Sequence, residues 1–217
     1  MMPPPPPKSN AGKVWGIIGA VVGVLVIGSV ASVVLSSGGS GGGNGRAGGP
    51  KYKITVPQSL VGGEYKLDQD ISQQAGSQIP TDGVNSHDVH PAGGQYTGGM
   101  KSLVMLGLYG TVDDPDEGVD RMVDGLTSSP SVEVAVPEKE FTPTGGGDPL
   151  TCGVEVKNQA GQKIPLAFCV WGTSSTTVSV VETDAADLRK DPKSIDLQDF
   201  ADKASKIRAE VQVPLGG

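Results

Sequence analysis

The first hydrophobic run in this chain is also its longest. From Val14 to Leu35 all residues are apolar or small, and no charge occurs between Lys13 and Arg46. As an α-helix these 22 residues rise about 33 Å, which matches a hydrocarbon core of roughly 30 Å, so the pattern predicts a transmembrane helix over residues 14–35. A secretory signal core runs about 7–15 residues and ends at a small-residue cleavage site. The nearest such site, Ser29-Val30-Ala31, is followed by apolar Val33, Val34 and Leu35. A permanent anchor is therefore the preferred reading, and a cleaved signal the alternative. Trp15 fits an interfacial aromatic at the inner edge. Gly12/Gly16 and Gly19/Gly23 keep G-x-x-x-G spacing, which either draws a second helix into a homodimer or is filler that membrane helices tolerate.

After a Gly/Ser-rich stretch (36–50) the period changes. Lys51 to Pro57 alternates and predicts a strand closed by Pro57, with a second short strand at Glu64 to Leu67. Residues 72–99, rich in Gln, Gly, Ser and Pro, read as a long loop. Ser102 to Val112 is the most apolar stretch outside the membrane segment and predicts a buried central strand. A helix follows: Asp113 or Asp114 as cap, Pro115 in the first turn, Asp116 and Glu117 at the positive end of the dipole. Its apolar stripe is Val119, Met122, Val123 and Leu126. Calcium is the competing explanation of the acids at 113–120, but the spacing is not that of an EF-hand loop. Further strands are expected at Ser131 to Val136 and Thr176 to Glu182, a turn at Gly145 to Pro149, and a hairpin of Val154 to Val156 with Leu166 to Trp171 around Asn158 to Gly161. A second amphipathic helix spans Ile195 to Val211, with Leu197, Phe200, Ala201, Ala204 and Ile207 inward and Pro192 ahead of it. The fold class expected for residues 51–217 is α+β: a mainly antiparallel sheet of five to seven strands with two amphipathic helices on one face.

Charge sharpens this division. Residues 1–50 carry Lys8, Lys13 and Arg46 and no acid, whereas residues 51–217 carry 14 basic and 24 acidic residues, a net of −10. Lys8 and Lys13 before the helix favour a cytoplasmic N-terminus and an extracytoplasmic C-terminal domain in the plasma membrane. An acidic outer domain argues against nucleic acid as a partner and against a membrane-lying role. Four regions result: a Pro-rich tail (1–13), the anchor (14–35), a Gly/Ser linker (36–50) with a reach of roughly 20 Å, and the outer domain (51–217). Pro3 to Pro7, followed by Lys8, either dock as a polyproline II helix in an SH3-like groove or form a solvated tail, the preferred reading.

Candidate chemistry is sparse. Cys152 and Cys169 are the only cysteines, and outside the membrane an even count implies a disulfide. Closing a loop of about 17 residues stabilises by roughly 3 kcal/mol in the chain-entropy model. His87 and His90, in His87-Asp88-Val89-His90, have a zinc-ligand spacing only on a helix, which Gly83, Pro91, Gly93 and Gly94 disfavour; an exposed loop is the preferred reading. Gly38 to Gly42 matches G-x-S-x-G but sits in the linker without the strand and helix that motif needs. No catalytic residue and no cofactor is assigned.

The organisation resembles that of a group of uncharacterised single-pass membrane proteins of actinobacteria, with a proline-rich tail, one helix, a Gly/Ser linker and a two-cysteine outer domain. Within the outer domain the likeness rests on Tyr109-Gly110-Thr111-Val112-Asp113-Asp114-Pro115, similar to their strand-to-helix junction. It rests also on Cys169-Val170-Trp171 followed by Thr176-Thr177-Val178, similar to their C-V-W segment. The chain departs from them at Trp171-Gly172-Thr173, where an acidic residue often follows the Trp. The resemblance implies a location and a shape. The expected role is a membrane-anchored binding or accessory protein of the cell envelope that contacts the bilayer through 14–35 and an envelope protein or ligand through its outer domain. A cell-envelope hydrolase and a secreted protein released by signal cleavage are the alternatives.

Overall fold

The computed structural model describes residues 51–76, 85–159 and 161–215. The tail, the segment 14–35 with Trp15, Gly19 and Gly23, and the linker lie outside the described residues. Among the described residues no helix is long and apolar enough to cross a membrane.

Among the described residues, ten strands form two sheets. They are β1 (Tyr52–Ile54), β2 (Ser59–Leu60), β3 (Tyr65–Asp70), β4 (Ser86–Gly98), β5 (Lys101–Val112), β6 (Val132–Phe141), β7 (Leu150–Gln159), β8 (Gln162–Thr173), β9 (Thr176–Asp184) and β10 (Gln212–Pro214). Eight of them make one antiparallel sheet in the order β2-β3-β4-β5-β9-β8-β7-β6, and β1 pairs with β10 as a separate ribbon. The large sheet consists of two meanders, β2 to β5 and β6 to β9, joined where β5 pairs with β9. The connection from the centre to the far edge runs through α2 (Pro115–Thr127); α1 (Ser72–Gly76) and α3 (Leu197–Val211) complete the helices. The antiparallel α+β class is thus as expected, with more strands than the five to seven foreseen.

The two long helices do not share a face. Met122, Val123 and Leu126 of α2 pack with Val104, Leu106, Leu166, Phe168, Val170 and Val181. Phe200, Ala204, Ile207 and Val211 of α3 pack with Leu103, Met105, Val154, Trp171, Val178 and Val180. Alternate residues of the same strands belong to the two clusters, so α2 and α3 cover opposite faces of the sheet. A strand buried on both sides has no polar face. Ser102 to Gly107 are all buried, as are Ile164 to Trp171, and this is why the apolar run of β5 identifies the sheet centre.

Two local corrections follow from this packing. The segment foreseen as a long loop contains α1 and the 13-residue strand β4. Pro91 is tolerated there because β3 ends opposite Gly94, so the missing N–H at Pro91 faces no partner on that side. Strand β6 continues through Pro137 to Phe141 at the sheet edge, with register breaks around Val136. Near the other edge, Asp88 adopts a φ of 51° inside a bulge between His87 and His90. A Cβ at Gly110 would lie 2.5 Å from the Asp88 carbonyl oxygen, which accounts for the glycine. Val61 is also left-handed at φ 53°, rare for a β-branched residue. It is held by Glu210 of α3, whose carboxylate accepts the N–H groups of Val61 (2.7 Å) and Gly62 (3.2 Å).

The start of α2 is as the sequence dictates, whereas α3 begins at Leu197, two residues later than expected. Asp114 caps α2, accepting from the N–H groups of Asp116 and Glu117 at 3.1 Å each, and Asp196 caps α3. Cys152 and Cys169 lie directly opposite on β7 and β8, with Cα atoms 4.1 Å apart and a bond between the sulfurs. Antiparallel strands approach this closely at their non-hydrogen-bonded sites. Both cysteines are fully buried beneath α3. Reducing this bond lowers the unfolding free energy by about 3 kcal/mol, measurable as a shift of the urea midpoint of the full chain in detergent; an unchanged midpoint contradicts it.

Candidate functional site

The most concentrated buried polar chemistry lies between α3 and the sheet. Lys203 points inward from α3 although lysine is seldom buried. Its Nζ lies 3.1 Å from both carboxylate oxygens of Glu182 on β9, and the two side chains are 10% and 11% exposed. The phenol of Tyr65, reaching across from β3, donates to Glu182 Oε2. The ammonium also sits 5.7 Å from the ring centres of both Tyr65 and Phe200, within cation–π range. At the rim, Lys101 pairs with Glu64 at 3.1 Å. Burial, then the negative charge of Glu182, raises the Tyr65 phenol well above its ordinary range, so it serves as a hydrogen-bond donor and not as a base.

Such an arrangement fastens α3 and β3 to the sheet. Lys203 neutralises Glu182 at a depth where either alone carries a large desolvation cost, and the aromatic rings exclude water from the pair. Lys203→Met strands a buried carboxylate and costs about 3–5 kcal/mol, whereas Lys203→Met with Glu182→Gln recovers much of that loss. Urea denaturation of the full chain in detergent checks both; equal losses for the single and double variants contradict the coupling.

A second buried acid has no such partner. Glu155, on β7 between Val134 of β6 and Leu166 of β8, is 4% exposed and its Oε2 makes no hydrogen bond. Burial, only partly offset by Lys157 two residues along, pushes its pKa up to about 8. The native state therefore binds a proton that the unfolded chain releases near pH 4.5. This contribution to stability is fully present below that pH and is lost as pH rises toward 8. Glu155→Gln removes this loss: relative to the variant, the unmodified protein loses several kcal/mol between pH 4.5 and 8, on the order of 1.4 kcal/mol per pH unit. Thermal melts of both proteins across this range read the difference; parallel curves contradict it.

His87 and His90 lie on β4 and not in a loop. His87 Nε2 is 3.0 Å from Asp113 Oδ2, with both side chains about half exposed. His90 stacks against Tyr109 with ring centres 5.2 Å apart. The bulge at Asp88 separates the two histidines in register, opposite Thr111 and Tyr109. Among the described residues no group of three or more His, Cys, Asp or Glu side chains is placed to hold a metal ion. The acids at 113–120 divide their roles: Asp114 caps α2, Asp113 meets His87, and Glu117 pairs with Arg121 one turn on. Hydroxyls at the β8–β9 turn are also engaged, with Ser175 Oγ accepting the Tyr52 N–H (2.8 Å) and Thr176 Oγ1 accepting from Gln212 Nε2 (2.7 Å).

Tyr65, Glu155, Glu182 and Lys203 were not singled out by motif. A readable signal existed in two of them. Lys203 falls three residues after Phe200 and four before Ile207, at the margin of the apolar stripe, and Glu155 interrupts the otherwise apolar run from Cys152 to Val156. No family model, curated protein or solved structure matches the chain.

Proposed function

We propose that this chain is a membrane-anchored, extracytoplasmic binding or accessory protein of the cell envelope. The observation that carries the reading is the bonded Cys152–Cys169 pair, fully buried in the sheet. A structural disulfide belongs to an oxidising compartment, and the uncharged run at 14–35 supplies the means of reaching it while staying attached. The same order of parts is found in the actinobacterial membrane proteins that the sequence resembles. The engagement of the ionisable groups supports a binding role over turnover: Lys203, Glu182 and Tyr65 are engaged with one another inside, and the exposed His87 is paired with an exposed acid at a strand end.

Cell fractionation tests this proposal. The full chain is expected in carbonate-washed membranes, with its outer domain digested by protease added to intact cells. Both cysteines should resist a thiol reagent until the protein is unfolded and reduced. Recovery in the cytosol with two reactive thiols overturns the reading. Recovery from culture fluid of a chain beginning just after Ala31 replaces the anchor with a cleaved signal. Loss of an envelope phenotype in His87→Ala, with the fold intact, favours the hydrolase over the binding role.

A further inference from the structure

We propose that the outer face of the β1–β10 ribbon docks onto an anionic lipid bilayer, an inference that rests on the reading of 14–35 as a membrane anchor. The ribbon pairs Lys53 with Val213 and Ile54 with Gln212, and the Leu215 N–H donating to the Lys51 carbonyl (2.8 Å) extends the ladder by one step. Side chains opposite one another on an antiparallel pair project to the same side, and successive ones alternate. Ile54 and Gln212 face the protein: Ile54 is buried against Gly107 and Val178, and Gln212 reaches Thr176. Lys51, Lys53, Val213 and Leu215 therefore project outward together, and all four are exposed. Val213 and Leu215 are two of the four large apolar side chains exposed among the described residues, beside Met100 and Val134.

Two apolar side chains next to two lysines, with no acid in either strand, form a patch opposite in character to its domain, whose net charge is −10. Its position identifies the occupant. Only fifteen residues, 36–50, separate the end of the apolar run from Lys51, so this ribbon is the part of the domain that the anchor holds nearest the bilayer. The acidic helix α2, with four acids against one arginine, covers the opposite face of the sheet from the ribbon, whose Ile54 belongs to the α3-side core. Charges act within a Debye length of about 8 Å, so the lysines at the contact outweigh acids on the far side. Val213 and Leu215 then enter the headgroup boundary while the lysines meet lipid phosphates. A second copy fits less well, because a ribbon-to-ribbon contact gathers four lysines and no acid.

Lysine acylation by a water-soluble reagent, read by mass spectrometry, tests the contact in the full chain. The chain is held in detergent, in phosphatidylcholine nanodiscs, and in nanodiscs containing phosphatidylglycerol. Lys51 and Lys53 should react several-fold more slowly in the phosphatidylglycerol discs than in detergent, while Lys163 and Lys190 react equally in both. High salt should restore reactivity. Val213→Ser with Leu215→Ser, which keeps both lysines, should weaken the protection. Equal reactivity in all three settings, with the chain retained through a carbonate wash, overturns docking alone. Protection already present in detergent and rising with protein concentration overturns it in favour of a second copy. Release by carbonate overturns the anchor, and the docking with it.

Discussion

The central strands of the sheet are buried on both sides, and most of the structure follows from that constraint. Hydrogen bonding within the sheet satisfies the backbone, but a polar side chain on any central strand has no water to turn to. A buried carboxylate is the costliest case, because it either pairs inside the adjacent layer or gives up its charge. Glu182 pairs with Lys203 and Tyr65, and in doing so fixes where α3 lies and how β3 closes the edge. Glu155 finds no such partner, and its burial favours the protonated form instead. Glu182 thus holds the fold together, and Glu155 ties it to the acidity of its surroundings.

How much of this could be read from the chain depends on the range of the interactions involved. Local rules placed α2 almost to the residue, because Asp114, Pro115 and the stripe from Val119 to Leu126 all act within a few turns. The apolar run of β5 signalled its central position because both of its faces are covered. Strand β4 was hidden by Pro91, Gly93 and Gly94, residues that discourage a strand in isolation. They are accommodated here by the end of β3 and by close contacts of the glycines with Ile71, Val56 and Tyr96. The division of the helices between two faces was invisible for a similar reason: nothing in α2 or α3 alone records which side of the sheet its stripe meets. Among the site residues, the cysteine pair was legible from count and context, while the Lys203–Glu182–Tyr65 cluster joins residues from three distant segments.

The domain holds its strongest charge pairing inside and leaves a weaker asymmetry outside. Acids gather along α2, and the ribbon beside the linker is basic and apolar. In the proposed envelope setting this asymmetry gives a tethered domain a preferred attitude. The surfaces of α2 and of the edge strand β6 are then the ones presented to a partner.

The pairing of β5 with β9 has a kinetic meaning as well. Each meander is assembled from strands that are neighbours in sequence, but the join between them brings together residues roughly seventy positions apart, the kind of contact that forms slowly. Until β9 exists, β5 offers an apolar strand edge with nothing to pair with. A chain delivered N-terminus first therefore passes through a stage in which its most aggregation-prone strand awaits the last strand of the sheet. The short helix α1, packed against β4, is complete before that strand arrives, whereas α2, which rests mainly on β8 and β9, finds its seat only when they form.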